Sequence, residues 1–311
     1  MADTLVQRAA AGDARAQGQL GGLLLVGRGV PYQPQEGMRL IESAAAQNDP
    51  TALQLLAVLA ALGVGRRQSW VDAVRLVERA AETGDAQAQA QLVVLGDPSR
   101  FDVEEWFGPV DGSQRFETPR VYTVTNFLPK AACAWIIDRS RSRLEAARVM
   151  NPEKGGATIE FNRSNTGTGF SVLDSDLVLE LANARVAAAS GLGRSQQEAT
   201  NVLHYDPGQE FQPHFDFIDP AEPRLAHEVQ QAGQRVLTAL IYLNDDFEGG
   251  ETDFPRLDWR FKGATGDALL FWNTSPTGAL EQNSLHAGLP PTSGEKWIYS
   301  KWVRDRPLPL I

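Results

Sequence analysis

Cysteine is nearly absent: Cys133 is the only one in 311 residues. No internal disulfide can form, which suits a reducing compartment. Cys133 lies in the apolar helical pattern Ala131-Ala-Cys-Ala-Trp-Ile-Ile137 and is expected to be a small buried hydrophobe. Basic residues are in deficit, 29 against 39 acidic, for a net charge of −10. Broad nucleic-acid binding is disfavoured, because phosphate contacts need clustered Lys and Arg. The acidity fits a cytosolic protein or one with a basic partner. No apolar run reaches the ~20 residues that span a membrane. Residues 1–17 lack the charged-then-apolar texture of an export signal. The expectation is a cytoplasmic chain with no membrane and no nucleic-acid partner. Histidine is scarce too: His204, His214, His227 and His286 are all there are.

What is abundant first is repetition. Gly12-Asp13, Asn48-Asp49 and Gly84-Asp85 recur every 36 residues, and Ala16, Ala52, Ala88 and Leu20, Leu56, Leu92 keep the same register. A period in the mid-thirties, rich in Ala and Leu at helical spacing, predicts stacked helix pairs over residues 1–97. The pattern Ala-x-x-Gly-Asp-Ala-x-Ala-Gln followed by Gly-x-Gly-Val resembles the Sel-one-like branch of the tetratricopeptide repeats. The second repeat departs from it, with Asn48-Asp49-Pro50. Such arrays commonly bind partners; the plainer alternative is a structural cap on the second domain.

Residues 98–119 carry Asp-Pro-Ser, Gly-Pro, Asp-Gly-Ser and Thr-Pro, which are turn signals, and are expected to form a connector. Trp106 and Phe107 would anchor it to one domain. From 120 to 311 the texture changes. Helices are expected from Pro129 to about Leu144 and from Asp174 to Ser190, with strand-like alternation around Thr158–Phe161. Strands are expected at Val121–Thr125, Ala199–His204, Gln212–Phe217, Val236–Leu243, Ala268–Trp272 and Trp297–Val303. The fold class expected is α+β: an α-helical repeat domain, then a β-sandwich or jelly roll backed by helices. Residues 220–233 are polar without clear periodicity and follow Asp216 closely, so a flexible lid is expected there.

The chemistry concentrates in Tyr205–Asp216. His214 and Asp216 are two apart, so on a strand both point to one face, where an imidazole and a carboxylate can grip a divalent metal. A facial triad needs a third ligand. Of the remaining histidines only His286 lies far downstream, before another strand-like run. His204 has the opposite strand phase to Tyr205 and His227 sits in a polar stretch, so neither is expected to have a metal role. A His-x-Asp pair alone is common by chance; its weight comes from its company. Lys296, ten residues after His286, shares a strand face with Ile298, Ser300 and Trp302. A lysine facing into a metal-lined barrel is costly without an anion to pair with, and a 2-oxo acid chelating the metal leaves a second carboxylate free.

Together, His214-x-Asp216, His286, Lys296, Tyr205-x-Pro-Gly-Gln, Arg235-x-x-Thr238, Gly249-Gly-Glu-Thr252 and Lys296-Trp-x-x-x-Lys-Trp302 resemble the prolyl 4-hydroxylase family of iron(II)- and 2-oxoglutarate-dependent dioxygenases. The resemblance covers about residues 120–305 and implies a double-stranded β-helix, a form of jelly roll. It implies iron on His214, Asp216 and His286, and 2-oxoglutarate with its far carboxylate on Lys296, Tyr205 and Thr252. Arg235 and Trp302, then Glu198 and Arg163, would line the substrate groove. Ascorbate is the expected reductant. Plainer alternatives are a core aromatic for Tyr205 and Trp302, a turn residue for Thr252 and a surface ion pair for Arg235. The implied activity is hydroxylation of a prolyl residue in a protein or peptide, coupled to decarboxylation of 2-oxoglutarate to succinate. Phe211, where many relatives have Tyr, puts ordinary proline specificity in question. A free amino acid or small metabolite is the alternative substrate, and a 2-oxoglutarate sensor or scaffold without turnover is the non-enzymatic one.

Overall fold

In the computed structural model, residues 2–108, 110–146, 149–151, 156–158 and 163–309 are described. Most of the strand-like stretch expected at 158–161 falls outside them. The chain divides into two compact units: residues up to 108 with 171–185, and 109–170 with 186–309.

The first unit is built of helices α1 (Ala2–Ala10), α2 (Ala14–Val26), α3 (Pro34–Ala46), α4 (Pro50–Leu62), α5 (Trp70–Glu82), α6 (Ala86–Leu95) and the short α7 (Val103–Phe107). The 36-residue period is a period of caps. Asp13, Asp49 and Asp85 each accept a hydrogen bond from the backbone N–H three residues on, at Ala16, Ala52 and Ala88. This satisfies one orphan donor at the start of α2, α4 and α6. The residue before each Asp is left-handed, with φ of 90°, 60° and 89° at Gly12, Asn48 and Gly84. Asn is among the few side chains that tolerate that region, which explains how the second repeat departs from the pattern without losing the turn. Trp70 and Phe107 meet edge to face at 5.4 Å, fixing α7 against the repeats. Residues 171–185 join this unit through a bond from the Leu177 N–H to the buried Gln91 side chain.

In the second unit the strands are β1 (Gly112–Glu117), β2 (Arg120–Val124), β3 (Glu145–Ala146), β4 (Val149–Asn151), β5 (Gly156–Thr158), β6 (Thr166–Phe170), β7 (Thr200–Tyr205) and β8 (Phe211–His214). They continue with β9 (Arg235–Tyr242), β10 (Glu248–Gly249), β11 (Thr252–Phe254), β12 (Trp259–Phe261), β13 (Ala268–Trp272), β14 (His286–Gly288), β15 (Pro291–Ser293) and β16 (Lys296–Arg304). The helices are α8 (Lys130–Arg141), α9 (Leu177–Ser190, its residues up to Arg185 counted with the first unit) and α10 (Pro223–Ala232). An eight-stranded sheet runs β1-β2-β13-β9-β16-β7-β6-β3, and a four-stranded sheet runs β12-β11-β14-β8. The two sheets of this jelly roll meet across a core of Val121, Tyr242, Phe254, Leu269, Phe271 and Ile298, where Phe254 and Phe271 pack edge to face at 5.2 Å. With the repeat helices, this is the expected α+β class.

Two expectations change. The stretch 98–119, read as a connector, contains β1, which pairs with β2 at the edge of the large sheet. The polar stretch 220–233, read as an aperiodic lid, is mostly helix α10. Pro223 sits in its first turn, and its C-terminal end is held by Arg304, which donates to the Gly233 carbonyl and pairs with Glu228. The β1 stretch shows no pattern readable without its partner, whereas α10 carries Leu225, Val229 and Ala232 at helical spacing, a signal the expectation of a lid passed over.

The pairing of α2 with α3 rests on small residues. A Cβ on Gly21 would lie 2.7 Å from the Gly37 carbonyl oxygen, and one on Gly37 2.6 Å from that of Gly21. Gly→Ala inside a helix ordinarily stabilises by about 0.5–1 kcal/mol. Gly37→Ala is expected to do the reverse, destabilising by about 1–3 kcal/mol through overpacking; an unchanged or raised Tm in a thermal melt would refute the close-contact account.

Candidate active site

Two antiparallel pairings assemble the site. His286 of β14 lies opposite His214 of β8, and Lys296 of β16 opposite Tyr205 of β7. The first brings two imidazoles from residues 72 positions apart to a ring separation of 4.3 Å. The second sets Lys296 over the Tyr205 ring at 4.8 Å. The strand expected over 212–217 stops at His214, yet Asp216 still reaches the same point. His214 Nε2 is 3.7 Å from Asp216 Oδ1, and His286 Nε2 is 3.5 Å from Asp216 Oδ2. One ligand atom from each of the three lies within 4.8 Å of the others.

The ring orientations are set from behind. His214 Nδ1 lies 2.8 Å from the Gln212 carbonyl and His286 Nδ1 3.0 Å from that of Ser284. A carbonyl can only accept, so each Nδ1 carries a proton and each Nε2 is the atom turned to the cluster. Asp216 accepts from the Thr238 hydroxyl at 2.7 Å, and Thr238 in turn accepts from the Asn273 amide at 2.9 Å. Sequence reasoning missed Thr238 and Asn273 as supports; Thr238 stood in the motif, but its partner came from β9 meeting the loop after β8. Burial raises the Asp216 pKa, but His286, His214 and the Thr238 hydroxyl outweigh it and hold the carboxyl below its usual range. Burial and then His286 hold His214 well below the ordinary imidazole value. At neutral pH Asp216 is thus a carboxylate and His214 a neutral imidazole, with His286 Nε2 facing the same point. Three such donors on one side, their other atoms already bonded, fit a divalent transition metal.

Beside them opens a cavity of about 610 Å³, lined among others by Arg163, Phe211, Tyr205, Thr252, Lys296 and Trp302. Lys296 is 2% exposed. Burial pushes its pKa down to about 7, with Glu251 opposing the shift. Burial likewise lifts the Tyr205 phenol to about 12, so it stays a neutral donor. Thr252 reaches the cavity, but its hydroxyl is not free: it lies 2.9 Å from the Tyr242 hydroxyl, which donates to the Phe261 carbonyl. Tyr242 has one proton, so Thr252 is the donor in that contact. Tyr242 gave no sign of this in the sequence beyond its place in an apolar strand.

The four residues considered for substrate binding part company. Trp302 and Arg163 line the cavity. Arg235 and Glu198 do not: Arg235 donates to both carboxylate oxygens of Glu198, at 2.7 and 3.0 Å. Arg235 also lies over the Trp302 ring at 3.6 Å. They form a brace behind the tryptophan, which the surface-ion-pair alternative for Arg235 half anticipates. Arg163 stands 4.5 Å over the Phe211 ring, which stacks on His214 at 3.5 Å. A phenol at 211 would meet this same stack, so Phe closes one side of the metal cluster with apolar surface.

The comparisons with known proteins bear on the same residues. The 2OG-Fe(II) oxygenase superfamily matches residues 200–304. Probable prolyl 4-hydroxylase 9 of Arabidopsis thaliana is 31% identical over 220 residues, covering 65% of this chain and 75% of that protein. A viral collagen prolyl hydroxylase from Paramecium Bursaria Chlorella virus-1, solved with 2-oxoglutarate, is 27% identical. The match covers 59% of this chain and 95% of that one, with a TM-score of 0.43. A Sel1 repeat protein from Oxalobacter formigenes is 31% identical over 29% of this chain and 67% of its own, with a TM-score of 0.27. The jelly roll and the matched motif define an iron(II)- and 2-oxoglutarate-dependent dioxygenase. Within that class the chain belongs to the prolyl 4-hydroxylase family.

Thr238 bonds to Asp216 and is not one of the three candidate donors. Thr238→Val keeps the shape and removes the hydroxyl; it is expected to weaken divalent-cation binding about 10–100-fold. A competition titration against a chromophoric chelator checks this, and unaltered affinity would remove Thr238 from the site.

Proposed function

We propose that this chain hydroxylates a prolyl residue in a protein or peptide, with iron(II) held by His214, Asp216 and His286 and the far carboxylate of 2-oxoglutarate held by Lys296. The observation that carries the reading is Lys296 itself. An ammonium in a closed cavity is destabilised unless it meets an anion, and this one faces the same space as a three-donor metal cluster. A dianionic 2-oxo acid meets both needs. Iron held by these three residues, with 2-oxoglutarate, would supply the oxidation: one oxygen atom of O2 would go to succinate as carbon dioxide leaves and the other into a substrate C–H bond.

The protein's share is positioning and the exclusion of water. Lys296 sets the depth of 2-oxoglutarate, and the Tyr205 hydroxyl donates to the same carboxylate. Thr252 joins only by turning its proton away from Tyr242. Trp302, held flat by Arg235 over its other face, gives the substrate ring an apolar wall, and Arg163 supplies a donor opposite it. Phe211, stacked on His214, gives the reacting C–H bond an apolar wall on that side. Ascorbate is the reductant we expect to sustain turnover. The named relatives are prolyl 4-hydroxylases, which supports the substrate class. No described helix is long and apolar enough to cross a membrane, and we place the activity in the cytoplasm.

The repeat unit is proposed to help select the protein substrate. Residues 171–185 pack with the repeats, so deleting 1–97 would strip a partner from the chain. Substitution on the surface is the cleaner test. Tyr32 and Val93 are 68% and 83% exposed. Tyr32→Ser with Val93→Ser is expected to raise KM for a protein substrate and leave it unchanged for a short peptide, with hydroxylation read by mass spectrometry as one added oxygen. Equal effects on both substrates would leave the repeats no part in selection.

Lys296 makes 2-oxoglutarate binding pH-dependent. Below about pH 7 the lysine is already charged and binding is flat. Above it, binding must take up a proton, so KM for 2-oxoglutarate should rise about tenfold per pH unit. Lys296→Met should abolish that slope and raise KM by roughly thirtyfold or more, from the loss of one partner of a buried charge pair. It removes an unpaired buried charge, so the free protein should not lose stability. A wild-type KM that stays level from pH 7 to 8.5 would overturn the assignment.

A further inference from the structure

The large sheet carries a second cluster with the makings of a metal site, on the face away from the cavity. His204 lies between Leu203 and Tyr205, both cavity residues, so strand alternation turns it to the opposite side. There it meets Asp206, just past the end of β7, and Glu295, just before β16. One ligand atom from each of the three lies within 4.8 Å of the others. His204 Nε2 is 3.8 Å from Asp206 Oδ1 and 3.7 Å from Glu295 Oε2. The active-site cluster has separations of 3.7 and 3.5 Å. A zinc ion with bonds of about 2.0–2.2 Å sets its donors about 3.4 Å apart. Along these two edges each cluster needs to close by only a few tenths of an ångström, and the third edge lies within 4.8 Å.

The second and independent sign is the imidazole. His204 is 6% exposed, and its Nε2 is buried with no hydrogen-bond partner. Its Nδ1 lies 2.8 Å from the Thr166 hydroxyl. Trp297 covers the ring at 4.4 Å. A buried ring nitrogen without a partner is costly, and this one is aimed between two carboxylates. If Nδ1 donates to Thr166, the Nε2 lone pair is free to bind a cation. The opposing group is Arg141, which donates to Glu295 Oε2 at 3.0 Å. Its side chain is 57% exposed and can swing away. The Trp297 indole N–H donates to the same oxygen at 3.1 Å and orients the carboxylate.

We infer that His204, Asp206 and Glu295 form a second divalent-metal site, of a kind that takes zinc, with water in the remaining position. One imidazole and two carboxylates are a zinc-type donor set. His204 pairs with Trp297 across the strands, directly beside the Tyr205–Lys296 pair. A zinc here would clamp the back of the two strands whose front carries Lys296. The site is independent of the proposed reaction and stands or falls separately.

The test is zinc stoichiometry. The full chain, stripped with chelator and titrated with Zn(II) against a chromophoric competitor, is expected to bind two equivalents. Asp206→Asn and Glu295→Gln, both at accessible positions, should each bind one. Arg141→Ala, which removes the competing cation, should tighten the second equivalent severalfold. Anomalous scattering at the zinc edge from wild-type crystals should place an ion between the three side chains, which guards against variants that fold poorly. No ion between the three side chains in the anomalous map, or a zinc count that both carboxylate variants leave unchanged, would overturn the site.

Discussion

Two opposite charges are buried in one cavity without touching. Asp216, 4% exposed, accepts from the Thr238 hydroxyl with two imidazoles beside it; Lys296, 2% exposed, rests on the face of Tyr205. Desolvation makes each expensive alone. Had they met, they would have cancelled and filled the site. Held apart, they leave room for something positive at one end and something negative at the other. The depressed lysine pKa and the ionised carboxylate are two responses to the same burial, one unrelieved and one relieved.

The sheets are what hold them apart. Lys296 comes from the large sheet and the histidines from the small one. Each is fixed by antiparallel register rather than by its own contacts, and a slip of one residue would turn every one of these side chains to the other face. The same logic runs behind the site. The hydrogen-bond chain from Asn273 through Thr238 to Asp216 joins β9 to the loop after β8, and the Glu198–Arg235 pair braces Trp302 from the rear. The alternation that sends Tyr205 and Lys296 inward sends His204 and Trp297 outward, so one strand pair has chemistry on both faces.

Local signals were legible where the cause was local. The Gly-Asp period marked helix caps because a cap is a three-residue event, and Asn48 kept the turn because Asn tolerates its backbone angle. His-x-Asp was readable as a pair because the two are close in sequence, although β8 ends at His214 and Asp216 reaches the point from the loop beyond it. Legibility failed where a residue's role came from a distant one. Residues 220–233 are a different case: Pro223 at the first turn and Leu225, Val229 and Ala232 at helical spacing were local signals of α10 that polar composition obscured, while Arg304 holds its end from far along the chain. Thr252 read as an available donor because nothing near it announces Tyr242. Arg235 and Glu198 read as groove residues, and the ion pair that removes them from the cavity spans 37 positions. β1 was hidden in turn-rich sequence because its strand character comes from pairing with β2.

The sequence by itself determined the chemical inventory: one cysteine, four histidines, an acidic balance, capped helical repeats, and a histidine, a carboxylate and a lysine at spacings that name a family. Those follow from composition and short-range geometry, which a linear chain carries on its face. The tertiary structure alone decided which of those groups share a space. It set the imidazoles opposite each other, kept Lys296 from a carboxylate, drew Arg235 away behind Trp302, and left the His204 nitrogen buried and unmatched. Distance between residues far apart in the chain is set by sheet register and packing, and no local pattern encodes it.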